Sequence, residues 1–186
     1  MPLRTPILPR GGDKTMKEYV ISDTHFGHAN IIQYCHRPFR DVFEMDEALI
    51  RNWNNVVSSD DLVYHLGDFA LYKDKSRIAE IVSRLHGRIV LIMGNHDTKP
   101  PRFYLDCGFM NATRKPILAH PDLILMHGPY EDLSFIAPNY FYLFGHVHDK
   151  HCPMDECPNC FCASVERIDY LPIELTEVCR NLRRKR

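Results

Sequence analysis

The sequence has no long hydrophobic run and almost no excess charge. No apolar run reaches the ~18 residues of a membrane-spanning helix, and no positively charged start precedes an apolar segment as in a secretory signal. The 186 residues have a formal net charge of -1 at pH 7, which gives no general attraction to nucleic acid or to anionic membranes. We therefore expect a cytoplasmic protein with no membrane partner.

Several catalytic motifs are also missing. The sequence contains no Gly-x-Ser-x-Gly nucleophile elbow, no P-loop and no Gly-x-Gly-x-x-Gly motif, so nothing in it points to those chemistries. A disulfide framework is not expected either, because the seven cysteines are an odd number and leave at least one thiol unpaired within the chain. Reduced thiols or a metal site fit this count better.

The length and the hydrophobic pattern indicate one domain of the α/β class. Residues 1–15 hold three prolines and a Gly-Gly pair without periodicity, which predicts a flexible N-terminal extension, and Met16 is an alternative natural start. In residues 16–186, strands alternate with helices in the first half and cluster in the second, which favours a two-sheet sandwich flanked by helices. The predicted strands are Glu18–Ser22, Leu62–Leu66, Arg88–Met93, Leu123–Met126, Tyr140–Phe144 and Ala163–Arg167, and the predicted helices are Ala29–Cys35, Met45–Val57, Lys75–Leu85 and Glu174–Leu182.

Five of these apolar segments end in a polar block. Any one block has an ordinary explanation, because Asp and Asn cap helices and start turns and glycine supplies positive φ. Five together, each offering a carboxylate, amide or imidazole after a strand, indicate a ligand site at the strand ends, and imidazoles suit Zn, Fe, Mn or Ni. The set contains no cysteine, which argues against a structural zinc site of the thiolate type. The blocks are Asp23-Thr24-His25, Gly67-Asp68, Gly94-Asn95-His96-Asp97, His127-Gly128 and Gly145-His146-Val147-His148.

In type and order, these blocks resemble the five motifs of the calcineurin-like metallophosphoesterase family. The longer string from Asp23 to Ile32 is further similar to a compact, single-domain bacterial and phage branch of that family. The resemblance implies two mixed β-sheets packed face to face with helices on both outer faces. It also implies a metal-dependent hydrolase of phosphoric esters.

Carried over position by position, the resemblance implies two divalent metal ions. One would be held by Asp23, His25, Asp68 and His148, and the other by Asp68, Asn95, His127 and His146, with Asp68 bridging. Two such ions can share a hydroxide and clamp the attacking and leaving oxygens of an in-line displacement. His96 would donate a proton to the leaving group or stabilise the phosphoryl oxygens, and Asp97 would fix the tautomer and orientation of that imidazole. The identity of the metal (Mn, Fe, Ni or Zn) stays open.

The implied substrate is a phosphodiester, a phosphomonoester or both, for example a nucleotide. One alternative is a metal-dependent nuclease acting on DNA or RNA, but such a protein would need a basic groove or stacking aromatics, and the net charge does not favour nucleic acid. Another alternative is a non-catalytic binding module with the same fold, which should lack some ligands, whereas none is missing here. The sequence does not indicate an oligomeric state.

Several further residues have two interpretations. Asn30 and Arg37 could contact the substrate phosphate, or could be a helix cap and part of a structural turn. The cysteine-rich loop 151–162 is expected to be a reduced, exposed thiol loop near the mouth of the site; the alternative is a structural zinc ion held by its four thiols, although their spacing is unusual for such a site. His65 is expected to pack in the core, and the basic end of the chain, residues 180–186, to be a solvated tail with a nucleic-acid contact as the alternative. The four cysteines are Cys152, Cys157, Cys160 and Cys162.

Overall fold

The fold was analysed in a computed structural model that describes residues 15–185. Except for Thr15, the expected N-terminal extension of residues 1–15 lies outside these residues. Nine strands form two sheets in the described part of the chain. They are β1 Glu18–Ile21, β2 Leu62–His65, β3 Arg88–Ile92, β4 Asn111–Thr113, β5 Ile117–His120, β6 Leu123–Leu125, β7 Phe141–Phe144, β8 Cys160–Cys162 and β9 Ile173–Glu174.

Both sheets are mixed. The first has the order β4-β3-β2-β1-β9, in which β9 alone runs antiparallel to its neighbour. The second has the order β5-β6-β7-β8, in which β5 alone is antiparallel. The carboxyl ends of β1, β2 and β3 therefore meet at one edge of the first sheet, and those of β6 and β7 meet at one edge of the second.

Five α-helices within residues 15–185 accompany the sheets, and side-chain caps define the start of two of them. The Asp41 carboxylate accepts a hydrogen bond from the backbone N–H of Glu44, so the second helix begins three residues earlier than the apolar rhythm predicts. The Asp74 carboxylate caps the third helix through the N–H of Ser76. The helices are α1 Ala29–Tyr34, α2 Val42–Val56, α3 Lys75–Arg84, α4 Pro101–Leu105 and α5 Leu175–Lys185.

Apolar side chains fill three layers. Between the sheets, Val20 and Tyr64 of the first sheet pack with Leu143 of the second. On the outer face of the first sheet, α2 and α3 bury residues such as Trp53 and Ile78. The outer face of the second sheet is covered by the cysteine-rich segment with its 3₁₀ turn at Pro153–Glu156. The predicted α/β class and two-sheet sandwich are confirmed.

One predicted strand is placed wrongly. The segment Ala163–Arg167 was expected to be a strand, but the strand is β8, and Val165–Arg167 forms a 3₁₀ turn. The physical reason is that the chain leaves the second sheet here: the carbonyl of Ala163 and the N–H of Val165 bond to the backbone of Ser22 at the end of β1. Within residues 15–185, no helix is long and apolar enough to cross a bilayer.

Candidate metal centre

The polar blocks lie at the strand ends in an unusual backbone conformation. Five of the eight non-glycine residues with positive φ among residues 15–185 are predicted metal ligands. Such conformations are uncommon for residues with a side chain, and they cluster at functional sites because the surrounding structure has to hold them. Their φ angles are 60° at Asp23, 52° at His25, 54° at Asp68, 74° at His146 and 54° at His148.

Asp23, His25 and His148 form the first group, in which one potential ligand atom of each lies within 4.8 Å of the others. The Asp23 carboxylate is fully buried, and its Oδ2 atom accepts hydrogen bonds from Ser164 Oγ and the N–H of His146, both at 2.8 Å. Its other oxygen, Oδ1, and the Nε2 atom of His25 are buried and have no hydrogen-bond partner. These two atoms are available to a cation.

Asp68, His127 and His146 form the second group, again with ligand atoms within 4.8 Å of one another. The side chain of Asn95 belongs with them, because its Oδ1 atom lies 3.0 Å from His127 Nε2 and 2.9 Å from His146 Nδ1. Ligands at ~2.1 Å from one metal ion stand about this far apart. Carboxylate, amide and imidazole donors suit a borderline or hard divalent ion.

Asp68 joins the two groups. Its Oδ2 atom lies 3.6 Å from His25 Nε2 in the first group and 3.6 Å from His127 Nε2 in the second. Its other oxygen accepts a hydrogen bond of 2.8 Å from the N–H of His96. One oxygen is therefore fixed by the backbone, and the other stands between two sets of ligands.

Hydrogen bonds to the far side of three histidines orient their rings. The Nδ1 atom of His127 lies 2.7 Å from the carbonyl oxygen of Leu66, and the Nδ1 atom of His148 lies 2.9 Å from Glu166 Oε1. In the first group, His25 Nδ1 faces His28 Nδ1 at 3.3 Å. When Nδ1 is engaged in this way, Nε2 is the atom left for a metal, which is the usual arrangement of metal-binding histidines.

The charges of the first group also fit a cation. Burial, together with neighbouring histidines and Arg37, lowers the pKa of His25, so this imidazole is neutral as a metal ligand must be. Burial raises the pKa of Asp23, because it disfavours the charged carboxylate more than the nearby His127, His148 and Ser164 favour it. A divalent ion would compensate the charge of this carboxylate. The residues present therefore fit two metal ions.

Sequence reasoning missed Glu166, which lies in the segment expected to be a strand. Its buried carboxylate accepts a hydrogen bond from His148 and pairs with the Arg37 guanidinium at 2.7 Å. Cys35, His148 and Glu166 form a third group of potential ligands, but the Arg37 guanidinium pairs with Glu166 Oε1, and its positive charge disfavours a cation there. No signal in the five polar blocks points to Glu166.

The structure corrects the expected phosphate contact of Arg37. Its side chain is fully buried and donates hydrogen bonds to the carbonyl oxygens of Asp23 and Thr24, at 2.7 and 2.8 Å, as well as to Glu166. The buried guanidinium thus holds the backbone of the Asp23-Thr24-His25 block from inside the protein, where a substrate cannot reach it. Asn30 lies exposed in α1, so its expected substrate contact stays a prediction.

His96 and Asp97 occupy different places. The exposed His96 ring lies beside the centre, with its centroid 5.2 Å from that of His25. Asp97 is fully buried, and its carboxylate accepts hydrogen bonds from the N–H groups of Gly94 and Asp68, both at 2.8 Å, and of Phe69 at 3.2 Å. The expectation that Asp97 orients the His96 ring is therefore wrong, because the acceptor oxygens are engaged in holding the backbone of two loops.

The alternative of a structural zinc site in the loop 151–162 gains no support from the described residues. None of the described groups of three or more mutually close ligand atoms includes these cysteines. Three of them are buried in the apolar layer on the outer face of the second sheet, so the expectation of an exposed thiol loop is wrong. His65 packs in the core as expected, with a hydrogen bond of 3.0 Å to Thr24 Oγ1. The cysteines are Cys152, Cys157, Cys160 and Cys162.

Comparison with known proteins agrees with this geometry. Residues 16–161 match the family model described as calcineurin-like phosphoesterase, a stretch that contains all seven metal ligands predicted from the sequence. The chain belongs to the calcineurin-like phosphoesterase family. Members of this family are metal-dependent phosphoesterases.

Two similar sequences and one similar structure match this chain over different lengths. An uncharacterized protein of Methanocaldococcus jannaschii is 41% identical over 170 residues, 86% of this chain and 87% of that protein. The Gene 66 protein of Mycobacterium phage L5 is 38% identical over 82 residues, 43% of this chain and 39% of its own length. The crystal structure of a protein of unknown function from Aquifex aeolicus superposes with a TM-score of 0.70 at 28% identity, covering 89% of this chain and 99% of the other.

Proposed function

We propose that this protein hydrolyses phosphodiesters, phosphomonoesters or both, with two divalent metal ions held at the described centre. The observation that supports it most directly is the position of Asp68. A single carboxylate oxygen lies 3.6 Å from an imidazole nitrogen of each ligand group, as a ligand shared by two ions would. The negative charge of Asp68 would also reduce the repulsion between two cations, which a neutral ligand could not do.

The residues divide into a binding set and a proton donor. Asp23, His25, Asp68 and His148 would hold one ion, and Asp68, Asn95, His127 and His146 the other. Divalent ions at such a centre supply Lewis-acid polarisation of the phosphoryl group and a nucleophile at neutral pH. His96 is exposed beside the centre and does not belong to either ligand group, so its imidazole can deliver a proton to the departing alkoxide.

The test combines metal content with turnover in three proteins. We expect the unaltered protein to bind two Mn²⁺ per chain and to hydrolyse bis-p-nitrophenyl phosphate, and excess chelator to abolish that activity. Asp68→Asn should weaken the binding of both ions, because it removes the charge shared between them. His96→Ala should keep both ions and lose roughly 10²–10⁴-fold in turnover on an alkyl ester, with a smaller loss on the nitrophenyl ester whose leaving group needs no proton.

Three results would contradict the proposal. Full activity of metal-free protein in excess chelator would exclude a metal-dependent reaction. Loss of only one ion from Asp68→Asn would exclude a shared carboxylate. Loss of an ion from His96→Ala, or equal losses on good and poor leaving groups, would remove His96 from the role of proton donor.

A further inference from the structure

A cavity of about 300 Å³ adjoins the metal centre on the side of His96. Most of its lining comes from two segments: the residues that follow the Gly-Asp block after β2, and those from His96 to Lys99 after β3. We call it the lysine pocket. Its lining includes His96, which lies beside the centre. The centroid of the His96 ring is 5.2 Å from that of His25 in the first ligand group. The lysine pocket is lined by Leu71, Tyr72, Lys73, His96, Thr98 and Lys99, among others.

The charge of the lysine pocket is of one sign. Lys73 and Lys99 are exposed and form no ion pair with the described residues, whereas the nearby Lys75 is paired with Asp106 at 3.0 Å. No carboxylate is among the lining residues. Each of four larger cavities in the described part of the molecule includes at least one Asp or Glu. The lysine pocket therefore favours an anion.

The walls of the lysine pocket are fixed relative to the metal centre. Arg114 donates hydrogen bonds to the carbonyl oxygens of Asp97 and Lys99, at 3.0 and 3.1 Å, which hold the backbone next to the pocket. On the opposite wall, the Tyr72 hydroxyl donates to Asp46 at 2.8 Å. The Tyr72 ring lies so close to Gly27 that a β-carbon there would approach it to 2.5 Å. Both lysines thus extend from backbone positions that neighbouring elements hold in place.

We propose that the lysine pocket binds a second phosphate group of the substrate, on the alcohol portion of the ester that leaves past His96. This inference rests on the proposed phosphoesterase function. Lysine ammonium groups bind phosphate as point charges. A volume of about 300 Å³ is at the small end of ligand pockets, so it suits a phosphorylated sugar-sized group rather than a polymer. The substrate class is therefore a small organic bisphosphate.

The experiment compares two substrates in three Mn²⁺-loaded proteins. Adenosine 5′-phosphate has one phosphate and adenosine 3′,5′-bisphosphate has two. In the unaltered protein, we expect kcat/KM to be about tenfold higher for the bisphosphate, chiefly through KM, because two exposed contacts with a phosphate add up to about this factor. The double variant Lys73→Ala/Lys99→Ala should bring the ratio of the two kcat/KM values close to one. Lys75→Ala removes a lysine of the same surface that is already paired and should keep the ratio.

A second readout uses salt and a third uses binding. Since both lysines are exposed, 0.5 M NaCl should reduce the preference in the unaltered protein and leave it unchanged in the double variant. Calorimetry should show tighter binding of the bisphosphate than of the monophosphate, and loss of that difference in the double variant, even if neither compound is hydrolysed.

Each negative outcome has one meaning. Equal affinity and equal kcat/KM for the two compounds in the unaltered protein would overturn the lysine pocket and leave the phosphoesterase proposal standing. A preference for the bisphosphate that persists in the double variant would also overturn the lysine pocket and leave the phosphoesterase proposal standing. Failure of the Mn²⁺-loaded protein to hydrolyse any phosphoric ester would count against the proposed function, while the calorimetric difference would still decide the pocket.

Discussion

At the scale of single residues, Glu166 connects parts of the chain that are far apart in sequence. Its carboxylate accepts hydrogen bonds from His148 and from Arg37, which lies 129 residues away, and Arg37 in turn holds the carbonyl oxygen of Asp23. A carboxylate behind a metal-binding histidine fixes the tautomer of the ring and raises its basicity. Glu166 therefore positions two ligands of the first group without touching a substrate.

We expect Glu166→Gln to weaken Mn²⁺ binding by about 10–100-fold, because the loss of such a partner typically has this effect on metal affinity. Competition with a fluorescent chelator measures it. The matched control is Glu156→Gln, since Glu156 also contacts an imidazole, that of His151 at 2.7 Å, but on the exposed surface. Equal metal affinity of the Glu166 variant and the control would contradict the positioning role.

Residues such as Glu166, which act through tertiary contacts, could not be predicted from the sequence. The predicted ligands Asp23, Asp68 and His148 converge as expected, because each is local to the end of a strand and strand ends meet at one edge of a sheet. Glu166 and the buried position of Arg37 follow only from tertiary contacts. A guanidinium suits a phosphate and a carboxylate equally well, so its residue type could not show that the partner is internal.

At the scale of the elements, the turn after β7 depends on a close approach of backbone to side chain. A β-carbon at Gly145 would lie far inside van der Waals contact with Ser22 Oγ and 2.5 Å from Asp23 Oδ2. The turn therefore brings His146 against Asp23 only because residue 145 has no side chain.

We expect Gly145→Ala to lower the melting temperature and to weaken Mn²⁺ binding, because the clash displaces Asp23 or the turn; overpacking of this kind costs about 1–3 kcal/mol. Circular dichroism and metal titration measure the two effects. Gly128→Ala is the control, since Gly128 also belongs to a polar block of the centre but a β-carbon there meets nothing within 4 Å. A Gly145 variant as stable and as metal-binding as the control would contradict the argument.

The elements also differ in how well a pattern predicts them. Helices α2 and α3 have apolar residues at helical spacing, and both were predicted to within a few residues. The short strand β8 was not predicted as a strand, because its three residues lie in a cysteine-rich segment with no alternation to read. The strand forms by pairing with β7, which is a tertiary contact that the local sequence does not show.

At the scale of the whole molecule, the centre lies across both sheets. Asp23 and Asp68 follow strands of the first sheet, whereas His127 and His146 follow strands of the second. Metal ions bound here would therefore join the two sheets in the folded state, and in the unfolded chain the ligands are far apart. Binding to the folded state alone stabilises it by mass action.

We expect Mn²⁺ at a hundredfold excess over its dissociation constants to raise the melting temperature by about 5–10 °C for each ion bound. The reason is that such an excess is worth about 2.7 kcal/mol per site, and each kcal/mol shifts the melting temperature of a chain of this size by about 2–4 °C. Differential scanning calorimetry with and without Mn²⁺ measures it. The Asp68→Asn protein should show a much smaller shift, and an equal shift in both proteins would indicate that the ion acts elsewhere.

The left-handed backbone at five ligand positions restricts which residue types can serve there. Asp, Asn and His are the side chains that adopt positive φ most readily, whereas glutamate and cysteine bind metals but have no such conformational advantage. At positions such as Asp23 and His146, the loop conformation and the metal therefore favour the same short list of residues. A thiolate-rich version of this centre would need a different backbone, so the preference for hard and borderline ions follows from the shape of the loops as well as from the chemistry of the donors.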